Sequence, residues 1–331
     1  MATYLSTNGS RIQNYTTDPD NPNNGEVWYN STANTLKFQF TSTAGSYTTA
    51  NSMNTARSNL GSSNSGTQTA TIAFGGTLGP PTYSENTETY NGTNWTEVNN
   101  LTAARSWAGG FGNYTSALCV SGYINGGPNT VDVEIWNGTN WAETGNVNTA
   151  SQSAGNAGVD STAGITYGGF DYAIPGGSNK TELWNGTNWT EVNNLNLARY
   201  YLSGNGTSTA AIGAGGETST FTNDAETWNG TNWTEISNIN TARNAMAGFG
   251  TSTDFYTSGG NSASGNFQAI TERWNGSSWS EENDLNTGRS TSAASGSGTA
   301  GLYFAGQNPG KSAVTEEWNA PTTAVKTIST D

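Results

Sequence analysis

Glutamates recur at fixed places around a repeated octet. One stands two residues before the first aromatic of each copy: Glu88, Glu134, Glu182, Glu226, Glu272 and Glu316. Another stands two residues after the second: Glu97, Glu143, Glu191, Glu235 and Glu281. Paired carboxylates can run glycoside hydrolysis. Five arginines, Arg57, Arg105, Arg199, Arg243 and Arg289, follow the same period, and a ring of guanidiniums could hold a carboxylate ligand. Side chains that recur in nearly every copy cannot all be catalytic. The expectation is structural pairing of Glu with Arg or with main-chain groups, and no catalytic residue.

Other chemistries fail on composition. There is no histidine, and Cys119 is the one cysteine. Ser-His-Asp and Cys-His catalysis, Cys/His zinc sites and an intrachain disulfide are therefore excluded. Cys119 falls in an expected strand and reads as a packed thiol. "DPDNPNNGE" (Asp18 to Glu26) has the oxygens of a calcium loop but not the EF-hand spacing, so it reads as a polar turn. No metal or cofactor is expected. The many N-x-S/T sequons follow from the octet itself.

The octet defines the elements. "WNGTNWTE" runs from Trp184 to Glu191 and again from Trp228 to Glu235, with variants at Tyr90–Glu97, Trp136–Glu143 and Trp274–Glu281. The second aromatic falls at Trp95, Trp141, Trp189, Trp233 and Trp279, at intervals of 44 to 48 residues. The first falls at Tyr90, Trp136, Trp184, Trp228, Trp274 and Trp318, which makes six anchors. Ten residues after each second Trp comes Arg105, Ser151, Arg199, Arg243 or Arg289, and Arg57 lies in register upstream. A period near 46 fits a four-stranded unit. Asn-Gly between the aromatics predicts a hairpin with a type I′ turn. Upstream strands at Asn244–Gly250 and Asp254–Gly260 bring the unit to four. The Trp pairs would wedge between sheets, each contributing about 2–3 kcal/mol on burial.

The pattern of Arg, a Gly pair, then E-x-W-N-G, a second Trp and the next Arg resembles a kelch repeat. The resemblance covers roughly Tyr47 to Asn319. It weakens at Ser121-Gly122 and Ala305-Gly306, which replace the Gly pair, and at Ser151, which replaces Arg. It implies an all-β fold: a six-bladed kelch-like β-propeller of four-stranded antiparallel blades. Copper enzymes of that class need His ligands, which are absent. The "NGTNW" turn loosely resembles the Asp-box of sialidases, but no asymmetric arginine set accompanies it. After "EEWNA" the sixth unit lacks its second Trp. Tyr47 occupies that register, so Tyr47 to Asn51 is expected to supply the missing outer strand; Ala324 to Ser329 is the rival. The expected organisation is an N-terminal docking segment over 1–45, a propeller over 46–320 closed by an N-terminal strand, and a C-terminal tail over 321–331.

Length variation concentrates between the second and third strands. These loops share a face with the turns between units, and binding residues on a rigid scaffold gather on such loops. The candidates are Pro80, Pro81, Tyr83, Tyr123, Asn125, Tyr172, Phe221, Phe267 and Asn308; simple drift is the competing reading. The 331 residues include 43 Gly, 12 Trp, 14 Tyr and 10 Phe, which argues for short strands and against disorder. A net charge of −14 disfavours nucleic acid and anionic membranes. No run approaches the roughly 20 apolar residues that span a bilayer, and "MATYLSTNGS" carries no secretion-signal pattern.

Residues 1–45 lie outside the period. "NNGEVWYNSTANTLKFQF" (Asn23 to Phe40) reads as a hairpin whose Trp28, Tyr29, Leu36 and Phe38 are candidate docking contacts. It resembles a short segment, G-x-[apolar]-W-Y-N-x-x-x-N-x-L-K, of tail-fibre and other structural proteins of tailed bacteriophages. The resemblance covers about a tenth of the chain. It implies a non-enzymatic virion protein assembled in the host cytoplasm, a tail fibre or surface adhesin. Its partners would be other virion proteins and a host-surface glycan or protein, with a homo-oligomer in the particle left open. A decoration protein without a receptor and a glycan-active enzyme are the alternatives.

Overall fold

The computed structural model describes residues 12–328 apart from 21, 24, 42–43, 80–81, 125–126, 173, 175 and 322. The described residues contain strands, turns and bends and no helix. The chain divides into two compact units: Ser46–Asn319, and a smaller one from the segment up to Gly45 with the segment from Ala320.

The larger unit repeats one motif six times. Each motif is a four-stranded antiparallel sheet. The fourth shows the plan: Ser203–Thr207, Ala210–Ala214, Ala225–Trp228 and Trp233–Ile236 lie side by side in chain order. The sixth departs from chain order. Its inner strands are Ala293–Ser297, Ala300–Phe304 and Thr315–Asn319, and its last is Ser46–Ala50, with Tyr47 opposite Trp318. The competing segment, Thr323–Ile328, pairs instead with Thr35–Thr41.

The octet folds differently from the expected type I′ turn. Trp228 pairs directly with Trp233, which leaves a four-residue loop between them. Asn229 does not adopt positive φ; only Gly230 does, at 91°. The Asn229 side-chain oxygen accepts the main-chain N–H of Thr231 and of Asn232, both at 2.9 Å. Asn91, Asn137, Asn185 and Asn275 do the same in their repeats. An Asx side chain that captures two loop amides removes the need for a left-handed Asn. Glycine is required beside it for its φ.

Six apolar clusters hold consecutive sheets together. One, with Trp95, Tyr90, Phe304, Leu302 and Met53, joins the sixth sheet to the first. Another, with Tyr47, Trp318, Tyr256 and Phe249, joins the fifth to the sixth. The second Trp of an octet reaches back to the preceding sheet. Trp141 meets Phe74 edge-on at 4.8 Å, and its indole N–H donates to Thr87. Trp233 meets Tyr167 at 4.6 Å and donates to Thr181. Trp95 does so on the sixth sheet, at Phe304 and Thr315. Trp95, Trp136, Trp141, Trp184, Trp189, Trp228, Trp233, Trp274 and Trp318 are buried, whereas Trp279 is only half-buried.

Six main-chain hydrogen bonds form a cycle through the first strands' approaches. Asn59 N donates to Thr291 O, Thr291 to Ala245, Ala245 to Tyr201, Tyr201 to Ser153, Ser153 to Trp107, and Trp107 to Asn59, all at 2.8–2.9 Å. All six residues hold φ between 52° and 58°. Among the described residues no ladder joins one sheet to the next.

The smaller unit is one four-stranded sheet. Gln13–Tyr15 lies parallel to Val27–Asn30, and Thr35–Thr41 runs antiparallel to Val27–Asn30 and to Thr323–Ile328. The segment read as a C-terminal tail therefore carries a strand of this sheet. Trp28, read as a docking contact, has no exposed surface; its indole donates to Asp18 at 3.1 Å. The strand pleat turns it inward, where Asn30 and Lys37 also donate to Asp18. Tyr29, Leu36 and Phe38 are half-buried. Asp18 thus serves as a junction of the sheet, and those three donors hold its carboxyl at about 2.

Candidate functional site

The recurrent charges are built into the repeats. Arg57, Arg105, Arg199, Arg243 and Arg289 are buried and pair with Glu88, Glu134, Glu226, Glu272 and Glu316 at 2.5–3.0 Å. Each of those glutamates also accepts main-chain N–H, as Glu226 does from Asn196. Glu97, Glu143, Glu191, Glu235 and Glu281 point to solvent. The arginines are anchors, and neither set forms an open site.

The residue after each arginine position pairs with the start of that repeat's long loop: Ser58 with Thr77, Ser106 with Tyr123, Gln152 with Phe170, Tyr200 with Glu217, Asn244 with Asn261 and Ser290 with Gln307. These small ladders set the loops and the hydrogen-bonded cycle on one face. The next residue in each case belongs to the cycle, so its φ is fixed while its side chain is free to vary.

Aromatic rings accumulate on part of this face. Tyr83 lies 5.5 Å from Tyr123 and 6.2 Å from Trp107. Trp107 lies 6.1 Å from Tyr123, and Tyr123 lies 6.0 Å from Tyr172. Tyr172 and Tyr200 each lie 5.1 Å from Phe170, and Tyr201 lies 5.1 Å from Tyr200. Seven rings thus form one connected arc over the first four repeats. Tyr172 is 59% exposed and the others are half-buried. At the corresponding cycle positions the remaining side chains are Asn59, Ser153, Ala245 and Thr291.

The arc borders a shallow depression lined by Asn59, Trp107, Ser153, Tyr201, Met246 and Thr291 among others. Below it, buried asparagines cross between sheets: Asn64 donates to Asn156 O at 2.7 Å, and Asn205 donates to Asn64 O at 3.0 Å. Gly109 is needed here, because a Cβ would come within 2.3 Å of the Asn156 side chain. Burial, then Glu217, pushes the Tyr200 phenol up to about 12, so it remains a donor at neutral pH. Glu217 accepts from Asn244, and the Lys311 ammonium donates to Ser58 and Gln307 at 2.8 Å each. Rigid aromatic planes beside a hollow of mixed polar and apolar lining suit a ligand with apolar faces and hydroxyl edges.

Of the sequence candidates, Tyr83, Tyr123 and Tyr172 are brought together. Phe221 and Phe267 are half-buried in their own loops, and Asn308 is engaged with Gly288 O. Pro80, Pro81 and Asn125 lie outside the described residues. Trp107, Phe170, Tyr200 and Tyr201 were not among the candidates. The signal for two of them was available: two residues after each arginine position stand Asn59, Trp107, Ser153, Tyr201, Ala245 and Thr291, of which two are large aromatics beside that face.

Comparison with known protein families and with characterised proteins found no match for this chain.

Proposed function

We propose that Ser46–Asn319 is a six-bladed, kelch-like β-propeller and that the chain is a non-enzymatic recognition protein. The cyclic hydrogen bonds and the six inter-sheet clusters support the ring. The observation that carries the recognition reading is the arc itself. Trp and Tyr are residues that anchor interfaces, and the arc draws its rings from the first four repeats and none from the last two. Here they crowd one side. The ligand class is a neutral glycan, whose C–H faces stack on rings and whose hydroxyls meet the phenols of the arc. A net charge of −14 acts against polyanions.

The resemblance of the Asn23–Phe40 segment to bacteriophage structural proteins supports the biological setting: a tail-fibre or surface adhesin of a virion. The smaller unit would hold the particle and the loop face would meet the host. The test uses the full-length chain against intact bacterial cells and their purified surface polysaccharides. Binding is expected, with a loss of about tenfold or more in Trp107→Ala and Tyr172→Ala. Unchanged binding by both variants, or binding only to polyanions, would overturn the recognition reading.

A further inference from the structure

In five repeats a buried carboxylate faces a buried guanidinium; in the third it faces Ser151. Glu182 is as enclosed as its counterparts, at 2% exposure. It keeps its amide donors: Asn148 N and Nδ2 reach one oxygen and Thr149 N the other, each at 2.8 Å. What it lacks is the cation. No lysine or arginine lies in ion-pair contact with it among the described residues. The nearby Lys180 ammonium is spent on Thr149 and on the exposed Glu191.

The place of the missing guanidinium is a cavity. In the first repeat Arg57 Nη1 donates to Gly75 O and Asn86 O; in the fifth, Arg243 Nη1 donates to Gly259 O and Ile270 O. The matching residues of the third repeat are Gly168 and Lys180. Both line a small cavity with Glu182, Ser151, Thr166 and Ser178. It has room for about one water-sized sphere. The residues lining it bring the Glu182 carboxylate, the hydroxyls of Ser151, Thr166 and Ser178 and, by the match to the arginine acceptors of the other repeats, the carbonyls of Gly168 and Lys180, oxygens of the kind that hold hard cations. One carboxylate supplies one negative charge, which a monovalent ion neutralises. Leaving that charge unpaired in so enclosed a place is costly.

We propose that the third repeat binds one monovalent cation of sodium, potassium or ammonium size at Glu182, where the other repeats carry their own arginine.

The test is thermal unfolding of the full chain in chloride salts of sodium, potassium, ammonium and tetramethylammonium at equal ionic strength. The wild type should melt about 1–2 °C higher in the ion that fits than in tetramethylammonium, which is too large to enter. Ser151→Arg should melt no lower than the wild type in any of these salts and show no preference among them. Glu182→Gln, which keeps side-chain shape, should also lose the preference and serves if Ser151→Arg does not fold. Lys180→Ala should retain it. Equal melting of the wild type in all four salts would overturn the proposal. So would a preference that survives in Glu182→Gln, or one that disappears in Lys180→Ala.

Discussion

Tyr47 sits directly opposite Trp318 in the antiparallel pair that completes the sixth sheet, their ring centroids 5.2 Å apart. The Tyr47 hydroxyl meets that of Ser258 in the fifth sheet at 2.7 Å. It therefore occupies the place that the second Trp holds in other repeats, and joins residues from the two ends of the larger unit.

Removing that ring should open the joint. Tyr47→Ala is expected to cost about 3–5 kcal/mol, the usual range for deleting a buried aromatic. Thr48→Ala, one residue on but exposed, should stay within about 0.5 kcal/mol. Urea unfolding of the two variants measures the difference, and equal effects would show that the strand contributes little.

The buried ion pairs should respond to half-removal far more than to full removal. Arg243→Met leaves Glu272 enclosed without its cation and should cost about 3–5 kcal/mol; adding Glu272→Met should restore much of that. Glu191→Gln, which breaks the exposed pair with Lys180, should change stability by less than about 1 kcal/mol. A double-mutant cycle on Arg243 and Glu272 decides this. Additive losses would mean that the two side chains do not act as a pair.

In the smaller unit, acid should act through Asp18. Its carboxyl is held at about 2, below the ordinary value near 4, chiefly by the hydrogen bond from Lys37, then Asn30 and Trp28. A depressed folded-state value means stability that is complete above about pH 4 and is lost as pH falls toward 2. The Trp28 indole N–H resonance should hold its position from pH 7 to about 4 and shift or vanish below that. In Asp18→Asn it should no longer respond to pH in this window. A wild-type signal that ignores acid down to pH 2 would count against the junction.

The parts written in multiples were legible in the sequence. Trp spacing located the sheets, and Glu and Arg at matching positions read as partners. The register of Tyr47 pointed to the strand from the N-terminal side. Single features were harder. Asn-Gly suggested a two-residue turn because the dipeptide does not show that the Asn side chain will take two amides for itself. Trp28 looked available because its short motif says nothing of Asp18, ten residues back, which receives its indole. Trp107 and Tyr201 hid next to the arginines, where a strand was expected and the main chain instead turns left-handed. The arc is a property of several loops meeting, which no one repeat reveals.

Amide hydrogen exchange across the cycle probes closure of the six repeats more directly than any substitution. The N–H groups of Asn59, Trp107, Ser153, Tyr201, Ala245 and Thr291 each donate to a neighbouring repeat. In a closed ring all six should be protected to a similar degree, with Asn59 N–H, whose acceptor is Thr291 in the last repeat, as slow as the others. Rapid exchange at Asn59 with protection at the other five would mean an open array, and the ring would have to be abandoned.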